Sequence, residues 1–465
     1  MTQTYNADVA IPDTIFKAYD IRGIVDETLT TDIVYLIGKS LGSENLRQGG
    51  KTINVARDGR LSGPSLLQAL TDGILSTGCN VINVGRVPTP VLYFSSFHLD
   101  TGSGVMLTGS HNPPQYNGLK MVLNGTTLSG DTIQGLKQDI LNKNFLSGKG
   151  EFKEIDVSND YIEKITGDIK PKRPLKIAID CGNGVAGEMA PKLFKALGCD
   201  ITEMYCEIDG NFPNHHPDPS QPETLTDLIK TVTTGGYDVG FAFDGDGDRL
   251  GVVSPSGEII WPDRQMILYA QDILERLPGA EIIYDIKCSR NLDKAIVDAG
   301  GKPLMWMTGH SLVKAKLKET GAPLAGEMSG HIFFKERWYG FDDALYTGAR
   351  LLEILAKSTQ STAEIFNNLP NSINTPELRL DLQEGENFEF MDKIQAIANF
   401  DDAKITTIDG LRVDFADGWG LARPSNTTPC IVIRFEGDDE AALERIKGRF
   451  RDLFLSVDAN VQLPF

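Results

Sequence analysis

The sequence predicts an α/β protein built from three related α/β domains and a C-terminal α+β domain. Two features of the 465-residue chain carry this prediction. Short apolar runs alternate with helical patterns in a unit that occurs three times, whereas the C-terminal part alternates apolar and polar positions. A chain of this length has room for three or four domains of ordinary size.

Each copy of the repeated unit opens with a strand-length apolar run, at residues 53–56, 177–179 and 282–284. A later apolar run leads into a polar loop, and the three loops are TGSHNP (108–113), DGDGDR (244–249) and GEMSGH (326–331). Alternating strands and helices favour β/α units, which bind ligands beyond the carboxyl ends of their strands. We therefore expect the three loops to face one cleft.

The C-terminal segment has the pattern of antiparallel strands followed by a helix. Leu411, Val413 and Phe415 alternate with polar residues, and Asp417-Gly418 is a hairpin signal. A final amphipathic helix begins near Asp439, and the segment carries a fourth polar loop, RPSNTTP (423–429). The predicted domains are residues 1–155, 156–257, 258–369 and 370–465.

The net charge, the length of the apolar runs and the cysteine pattern exclude several classes of protein. The chain has 45 Lys and Arg against 64 Asp and Glu, a net charge of −19, so its bulk field opposes nucleic acid and anionic membrane as partners. No apolar run approaches the ~20 residues of a spanning helix, and no secretory signal is visible. The six cysteines include no C-x-x-C pair, which is typical of free thiols in the cytoplasm. An anionic ligand would need positive charge gathered locally.

Ser110 stands in a turn bounded by glycine and proline, within TGSHNP. A serine held on such a constrained turn can act as a nucleophile or carry a phosphoryl group. In isolation, a Thr-Gly-Ser tripeptide is more often part of an ordinary turn.

DGDGDR places Asp244, Asp246 and Asp248 at every second position after an apolar run. Three close carboxylates repel one another unless a cation is present, and an open set of oxygen ligands suits Mg²⁺. An EF-hand is excluded because Arg249 occupies the position of its glycine. Arg249 could instead neutralise a phosphate.

The other two loops offer groups for a sugar and a phosphate. Glu327 and Ser329 can point to one side and bind vicinal hydroxyls. Arginine followed by hydroxyl and amide groups can cradle a phosphate, and the candidates are Arg423, Ser425, Asn426 and Thr427, with Arg434 on the next strand. Each loop alone could be a generic polar turn.

Taken together and in this order, the four loops resemble those of the α-D-phosphohexomutase family, most closely its bacterial phosphomannomutase/phosphoglucomutase branch. The segment FKAYDIRG (16–23) is similar to the N-terminal signature of that branch, and Met328 favours mannose/glucose enzymes over glucosamine enzymes. The resemblance covers essentially the whole chain. It implies four domains around a central cleft and interconversion of hexose 1-phosphate and hexose 6-phosphate.

The resemblance also implies roles for individual residues. Ser110 would be phosphorylated and would join Asp244, Asp246 and Asp248 in holding Mg²⁺, with glucose or mannose 1,6-bisphosphate as intermediate and activator. Glu327 and Ser329 would bind sugar hydroxyls, and the RPSNTTP loop the phosphate that does not react. Lys120 and His331 are the candidates for proton transfer, with the choice between them open. The cleft would further be lined by Tyr19, Arg22, Lys287 and His310, and Arg249 would sit near the phosphoserine as a further catalytic residue. A monomer is expected.

The sequence is also compatible with three other functions. An apolar strand followed by Asp-x-Asp also suits an aspartyl phosphatase or phosphotransferase with Asp244 as nucleophile, which would leave the serine and cradle loops unexplained. A catalytically inactive regulator would bind hexose phosphate and Mg²⁺ without interconverting the 1- and 6-phosphates. Within the family, the chain could be a dedicated phosphoglucosamine mutase or phosphoglucomutase.

Overall fold

The computed structural model describes residues 4–383, 385–426 and 428–465. Its described part contains four β-sheets, each flanked by helices. The elements of the first sheet and its helices are β1 (Ile21–Ile24), α1 (Thr31–Arg47), β2 (Thr52–Arg57), α2 (Gly63–Leu75), β3 (Asn80–Arg86), α3 (Thr89–His98), β4 (Gly104–Leu107), β5 (Tyr116–Leu123), β6 (Thr126–Thr127), α4 (Asp131–Leu141) and β7 (Phe152–Glu154).

The second sheet and its helices comprise α5 (Ser158–Asp168), β8 (Lys176–Asp180), α6 (Ala190–Ala196), β9 (Asp200–Met204), α7 (Thr226–Gly235), β10 (Val239–Phe243) and β11 (Leu250–Val253). The third group comprises α8 (Pro262–Arg276), β12 (Glu281–Asp285), α9 (Arg290–Asp298), β13 (Lys302–Trp306), α10 (His310–Thr320), β14 (Leu324–Gly326), β15 (Ile332–Phe334), α11 (Ala344–Lys357) and α12 (Thr362–Asn367).

The last group is an antiparallel sheet with two helices, and its elements are β16 (Ile373–Asn374), β17 (Leu378–Asp381), α13 (Glu386–Ile397), β18 (Lys404–Thr406), β19 (Leu411–Phe415), β20 (Gly418–Pro424), β21 (Cys430–Gly437) and α14 (Glu440–Val457). The predicted hairpin turn lies between β19 and β20. Asp439 caps α14, since its carboxylate accepts from the Ala442 amide at 2.8 Å.

The first three sheets share one four-stranded topology. A central strand has a parallel neighbour on each side, and a fourth strand runs antiparallel beyond one of them, in the orders β3-β2-β4-β5, β9-β8-β10-β11 and β13-β12-β14-β15. The polar loops TGSHNP, DGDGDR and GEMSGH each connect the third strand of this set to the fourth. The predicted repeat and the α/β fold class are therefore confirmed.

Packing differs between the first three sheets and the last. One apolar core runs through the first three groups, and it includes Phe94 of α3, Phe241 of β10 and Leu351 of α11. The last sheet has its own core around Phe435 and Phe450. No helix in the described part of the chain is long and apolar enough to cross a membrane.

Candidate active site

Three loops come into direct contact. They are TGSHNP (108–113), called here the serine loop, DGDGDR (244–249), called the aspartate loop, and GEMSGH (326–331). Gly245 packs so closely on the serine loop that a Cβ there would lie 2.3 Å from the carbonyl oxygen of Ser110, so only glycine fits. Arg249 and His331 form an isolated antiparallel bridge between the other two loops. The shared sheet topology thus brings the predicted serine and metal groups to one place.

Ser110 lies at the centre of this contact and is only 1% exposed. Its Oγ donates to Oδ2 of Asp244 at 3.0 Å and lies 3.2 Å from Nδ1 of His111. Its backbone is left-handed, with φ of 49°, a conformation that non-glycine residues adopt at a cost and that points to a functional constraint. Burial, with the charges of Arg249 and Arg22, lowers the pKa of His111, so its ring is neutral.

Arg60 anchors the serine loop, and sequence reasoning missed it. Its guanidinium donates to three main-chain carbonyls of the loop, those of Ser110 (2.8 Å), Asn112 (2.6 Å) and Pro113 (2.7 Å), and to that of Tyr116 (2.9 Å) at the start of β5. Nε pairs with Asp58 at 3.2 Å. The sequence shows only a polar turn, Asp58-Gly59-Arg60, because carbonyl acceptors leave no residue-type signal.

The three aspartates form a buried cluster of oxygen ligands. One atom from each of Asp244, Asp246 and Asp248 lies within 4.8 Å of the others, and all three residues are fully buried. Burial and the charges of the other two carboxylates raise the pKa of Asp244 well above its usual value. Among described residues, Oδ1 of Asp246 and Oδ1 of Asp248 have no hydrogen-bond partner. Buried, unpartnered carboxylate oxygens fit a hard divalent cation, so the cluster could hold a metal ion.

Lys120, on β5, is held among these carboxylates. Its Nζ donates to Asp246 at 2.7 Å and also contacts Asp248. Burial lowers the pKa of Lys120, but the charges of Asp246 and Asp248 outweigh burial and raise the pKa above its usual value, so the side chain is an ammonium. Thr89, at the start of α3, further binds Asp246 through its hydroxyl and amide.

His331 has a defined tautomer. Its Nδ1 lies 2.8 Å from Oδ2 of Asp342, and its Nε2 accepts from Nε of Arg249 at 2.8 Å. Burial raises the pKa of Asp342, but Lys314 and the hydrogen bond from His331 hold it well below its usual value. Asp342 is thus a carboxylate, Nδ1 carries the proton and Nε2 carries the lone pair.

His310 stacks on this ring, with centroids 5.6 Å apart. Burial, with the charge of Lys314, lowers the pKa of His310 well below its usual value, so this imidazole is neutral too. Its Nδ1 is buried without a hydrogen-bond partner among the residues described.

Glu327 and Ser329 contact each other, with Ser329 Oγ donating to Oε2 at 3.2 Å. Burial raises the pKa of Glu327. Tyr19 joins three domains, because its hydroxyl donates to the Thr308 carbonyl at 3.0 Å and accepts from the Asn426 amide. Burial raises the pKa of Tyr19 to about 12.

Arg423 forms a two-point pair with Asp409, at 3.0 and 3.3 Å. Ser425 Oγ lies 3.0 Å from the Thr428 hydroxyl, while Thr427 lies outside the described residues. Sequence reasoning missed Asp409, whose carboxylate also accepts from the Thr308 amide and so orients this arginine against the third sheet.

The remaining predicted cations are divided between the cleft and a domain contact. Arg22 donates to Asn112 of the serine loop and to Asp20, both at 2.6 Å. Lys287 pairs with Glu377 at 2.7 Å. Arg434 is 2% exposed and donates to the Lys287 carbonyl at 2.5 Å, so in this structure it joins the last domain to the third.

The geometry suits phosphoryl transfer. A serine hydroxyl, a set of metal-ligating carboxylates and several buried cations converge, and transfer of a phosphoryl group depends mainly on positioning and charge stabilisation. A histidine whose Nε2 carries the lone pair can accept a proton once its present donor, Arg249, turns to another acceptor.

Comparison with known proteins gives consistent matches along the chain. Models of the phosphoglucomutase/phosphomannomutase family match four stretches, with alpha/beta/alpha domain I at residues 13–147, domain II at 159–257, domain III at 261–373 and the C-terminal domain at 377–453. A phosphomannomutase/phosphoglucomutase of Pseudomonas putida is 53% identical over 456 residues, 98% of each chain. A phosphoglucomutase of Neisseria meningitidis serogroup A is 55% identical over 441 residues, 94% of this chain and 96% of that one.

A solved structure matches as well. The crystal structure of a phosphoglucomutase/phosphomannomutase family protein from Burkholderia thailandensis superimposes with a TM-score of 0.94 at 54% identity. The match covers 98% of this chain and 100% of the other.

Proposed function

The chain belongs to the phosphoglucomutase/phosphomannomutase family, and on this premise we propose how its loops interconvert hexose 1-phosphates and hexose 6-phosphates. The enzyme is a mutase, an isomerase that moves a phosphoryl group between two oxygens of one sugar. In the proposal Ser110 carries that group. The observation that carries it is the buried Ser110, whose Oγ lies 3.0 Å from Asp244 and whose main-chain carbonyl accepts from Arg60.

The reaction begins with phosphorylated Ser110 and bound hexose 1-phosphate. O6 of the sugar attacks phosphorus, the O6–P bond forms and the Oγ–P bond breaks, leaving the Ser110 alkoxide to be protonated. We assign the O6 proton to Nε2 of His331, since Asp342 holds the other nitrogen protonated. A phosphate on Ser110 would compete for Arg249, which now occupies that lone pair.

Lys120 then serves as a fixed positive charge. Its carboxylate partners raise its pKa and favour the ammonium form, so in this proposal it offsets charge on the transferred group. Asp244, Asp246 and Asp248, with an oxygen of phosphorylated Ser110, would hold Mg²⁺, which when bound supplies positive charge that stabilises the transferred phosphoryl group.

Hexose 1,6-bisphosphate is the proposed intermediate. After it turns end for end, the phosphoryl group at O1 returns to Oγ of Ser110, and O1 takes the proton, which leaves hexose 6-phosphate. Arg423, Ser425, Asn426 and Thr427 would hold whichever phosphate is not reacting, with Lys287 and His310 along the cleft. Cleft closure would retain the intermediate.

Sugar binding through Glu327 and Ser329 would suit both mannose and glucose. Contacts to O3 and O4 are roughly preserved when the sugar turns over, and a site that avoids O2 does not distinguish the two epimers. A dedicated phosphoglucomutase remains the second candidate, because the relative in Neisseria meningitidis carries that name. Comparing kcat/KM for mannose, glucose and glucosamine 1-phosphates, with a bisphosphate primer present, separates these candidates from a glucosamine enzyme.

Intact-protein and peptide mass spectrometry tests the carrier role. We expect an acid-stable phosphoryl group on Ser110 and its loss, together with turnover, in Ser110→Ala. An acid-labile phosphoryl group on Asp244 would instead support an aspartyl phosphotransferase. Normal steady turnover by Ser110→Ala would refute the proposal.

We also propose that the enzyme acts as a cytoplasmic monomer. Groups from one chain compose the described parts of the site, and all six cysteines are free thiols. Size-exclusion chromatography with light scattering would test the monomer. Nucleic acid and membranes are not expected as partners.

A further inference from the structure

Two cysteines beside the active site lie within disulfide reach. The Sγ atoms of Cys181 and Cys206 are 3.5 Å apart, although 25 positions separate the residues in sequence. Cys181 follows β8 and Cys206 follows β9, and these strands are parallel neighbours with Asp180 opposite Met204. In the described part of the chain, no other pair of cysteine sulfurs makes such a contact.

We propose that Cys181 and Cys206 form a reversible disulfide in the presence of hydrogen peroxide, and that this disulfide lowers mutase activity. A disulfide has an S–S bond of about 2.05 Å, so the sulfurs need to approach by roughly 1.5 Å. Only the activity change rests on the mutase function proposed above. Formation of the bond does not.

The chemistry starts at Cys206, which is half-buried, whereas Cys181 is buried. The Cys206 thiolate attacks one peroxide oxygen, the O–O bond breaks, and a sulfenic acid forms with release of water after protonation. The Cys181 sulfur then attacks the Cys206 sulfur, the S–S bond forms and the S–OH oxygen leaves as water. Two thiols and one peroxide thus give one disulfide and two waters. Thiol–disulfide exchange with a dithiol reverses the reaction.

Cys181, the buried cysteine of the pair, suits the second step, which is attack on the Cys206 sulfenic acid. The hydrogen bond with Cys206 and burial raise the pKa of the Cys181 thiol, which disfavours direct attack by Cys181 on peroxide. A sulfur already in contact with the sulfenic acid needs no diffusional encounter. Proximity therefore offsets its low thiolate fraction.

The pair is coupled through Cys181 to the DGDGDR loop (244–249), the aspartate loop. Its carbonyl accepts from the Gly184 amide at 2.6 Å, and the next amide, that of Val185, donates to Gly245 at 3.1 Å. Gly184 itself packs against Gly245, where a Cβ would lie 3.0 Å from the Gly245 Cα. Movement of Cys181 is thereby transmitted to the loop that carries Asp244 and Asp246.

The segment after Cys206 reaches the serine-loop anchor. Asn183 ties both segments together, since its amide donates to the Tyr205 carbonyl and its side chain to the Glu207 carbonyl, both at 2.8 Å. Gly210 then packs on Arg60, where a Cβ would lie 2.8 Å from the Arg60 Cα. Closing the disulfide would therefore displace supports of both the aspartate loop and the serine loop.

The test uses the full-length enzyme titrated with hydrogen peroxide. Peptide mapping without reductant should find Cys181 joined to Cys206, activity should fall several-fold, and dithiothreitol should restore both. Cys206→Ser should keep its activity under the same treatment. Cys199→Ser, which removes a half-buried cysteine outside the pair, should respond as wild type does.

Two results would overturn the proposal. One is that Cys181 and Cys206 stay reduced at peroxide concentrations that oxidise Cys199. The other is that the disulfide forms but activity is unchanged. If the protein has no mutase activity before oxidation, the proposed mutase function is wrong. Peptide mapping still decides whether the disulfide forms.

Discussion

Arg60 donates a 2.8 Å hydrogen bond from Nη2 to the main-chain oxygen of Ser110, although the two residues are 50 positions apart. The same guanidinium binds two further carbonyls of that loop and the Tyr116 carbonyl at the start of β5, and Arg60 is 1% exposed. A planar fork can meet several carbonyls at fixed angles, which the point charge of lysine cannot. One side chain therefore joins four main-chain carbonyls between Ser110 and Tyr116 and helps to position the serine loop.

Arg60→Lys should lower kcat between about tenfold and a hundredfold with a smaller change in KM, because a displaced nucleophile weakens the reacting geometry more than sugar binding. Steady-state kinetics checks this, and phosphoserine occupancy by mass spectrometry should fall in parallel. Arg86→Lys is the control, since Arg86 is exposed and pairs with the exposed Glu188. Wild-type turnover by Arg60→Lys would contradict the anchoring role.

Much of the fold could be predicted because its signals are local. The apolar run Val239–Phe243 coincides with β10, and the alternation at Leu411, Val413 and Phe415 lies in β19. The repeated unit also predicted where the loops lie, because sheets of the same topology place equivalent loops at the same edge.

The supporting residues of the site could not be predicted because their partners are distant or carry no residue-type signal. Asp342 and Asp343 are identical neighbours in sequence, yet Asp342 pairs with His331 while Asp343 caps α11 and accepts from Tyr161. Asp409 likewise acts on Arg423 only through the fold of the last sheet. Chain pattern alone cannot separate such roles.

Divalent metal should raise the thermal stability of the protein. Three buried carboxylates lie within 4.8 Å, and Mg²⁺ would relieve their repulsion in the folded state alone. We expect Mg²⁺ to raise Tm by several degrees over the chelated protein, and Asp248→Asn to lose most of this shift. Glu163→Gln, at an exposed site on α5, should keep it. Scanning calorimetry checks the prediction, and an equal shift in all three proteins would refute it.

His215 should make folding stability depend on pH. Its Nε2 lies 3.0 Å from Oδ2 of Asp180. Partial burial lowers the pKa of His215, but the hydrogen bond and charge of Asp180 raise it more, so the net pKa lies above its ordinary value. Protonated His215 therefore contributes stability that is fully present below about pH 6.5 and is lost as pH rises through the raised pKa.

His215→Asn should thus be less stable than wild type by on the order of 1 kcal/mol at acidic pH, and the difference should shrink toward alkaline pH. Urea denaturation at a series of pH values measures it. His98→Asn removes an exposed histidine, 3.5 Å from Asp160, and should show a smaller difference at each pH. A deficit that grows with pH would have the wrong sign.

Asp342 should control the proton-transfer step through His331. Its carboxylate lies 2.8 Å from Nδ1, and asparagine at 342 could present an amide N–H there and favour the opposite tautomer, which puts the proton on Nε2. Asp342→Asn should therefore reduce kcat on the order of a hundredfold with little change in KM. Asp343→Asn is the matched control, since its side-chain oxygen can still accept from the Tyr346 amide at the start of α11. Kinetics with a hexose 1-phosphate, together with imidazole nitrogen chemical shifts, separate a changed tautomer from general damage. If the His331 tautomer is unchanged in Asp342→Asn, or if both variants lose activity equally, the positioning role is refuted.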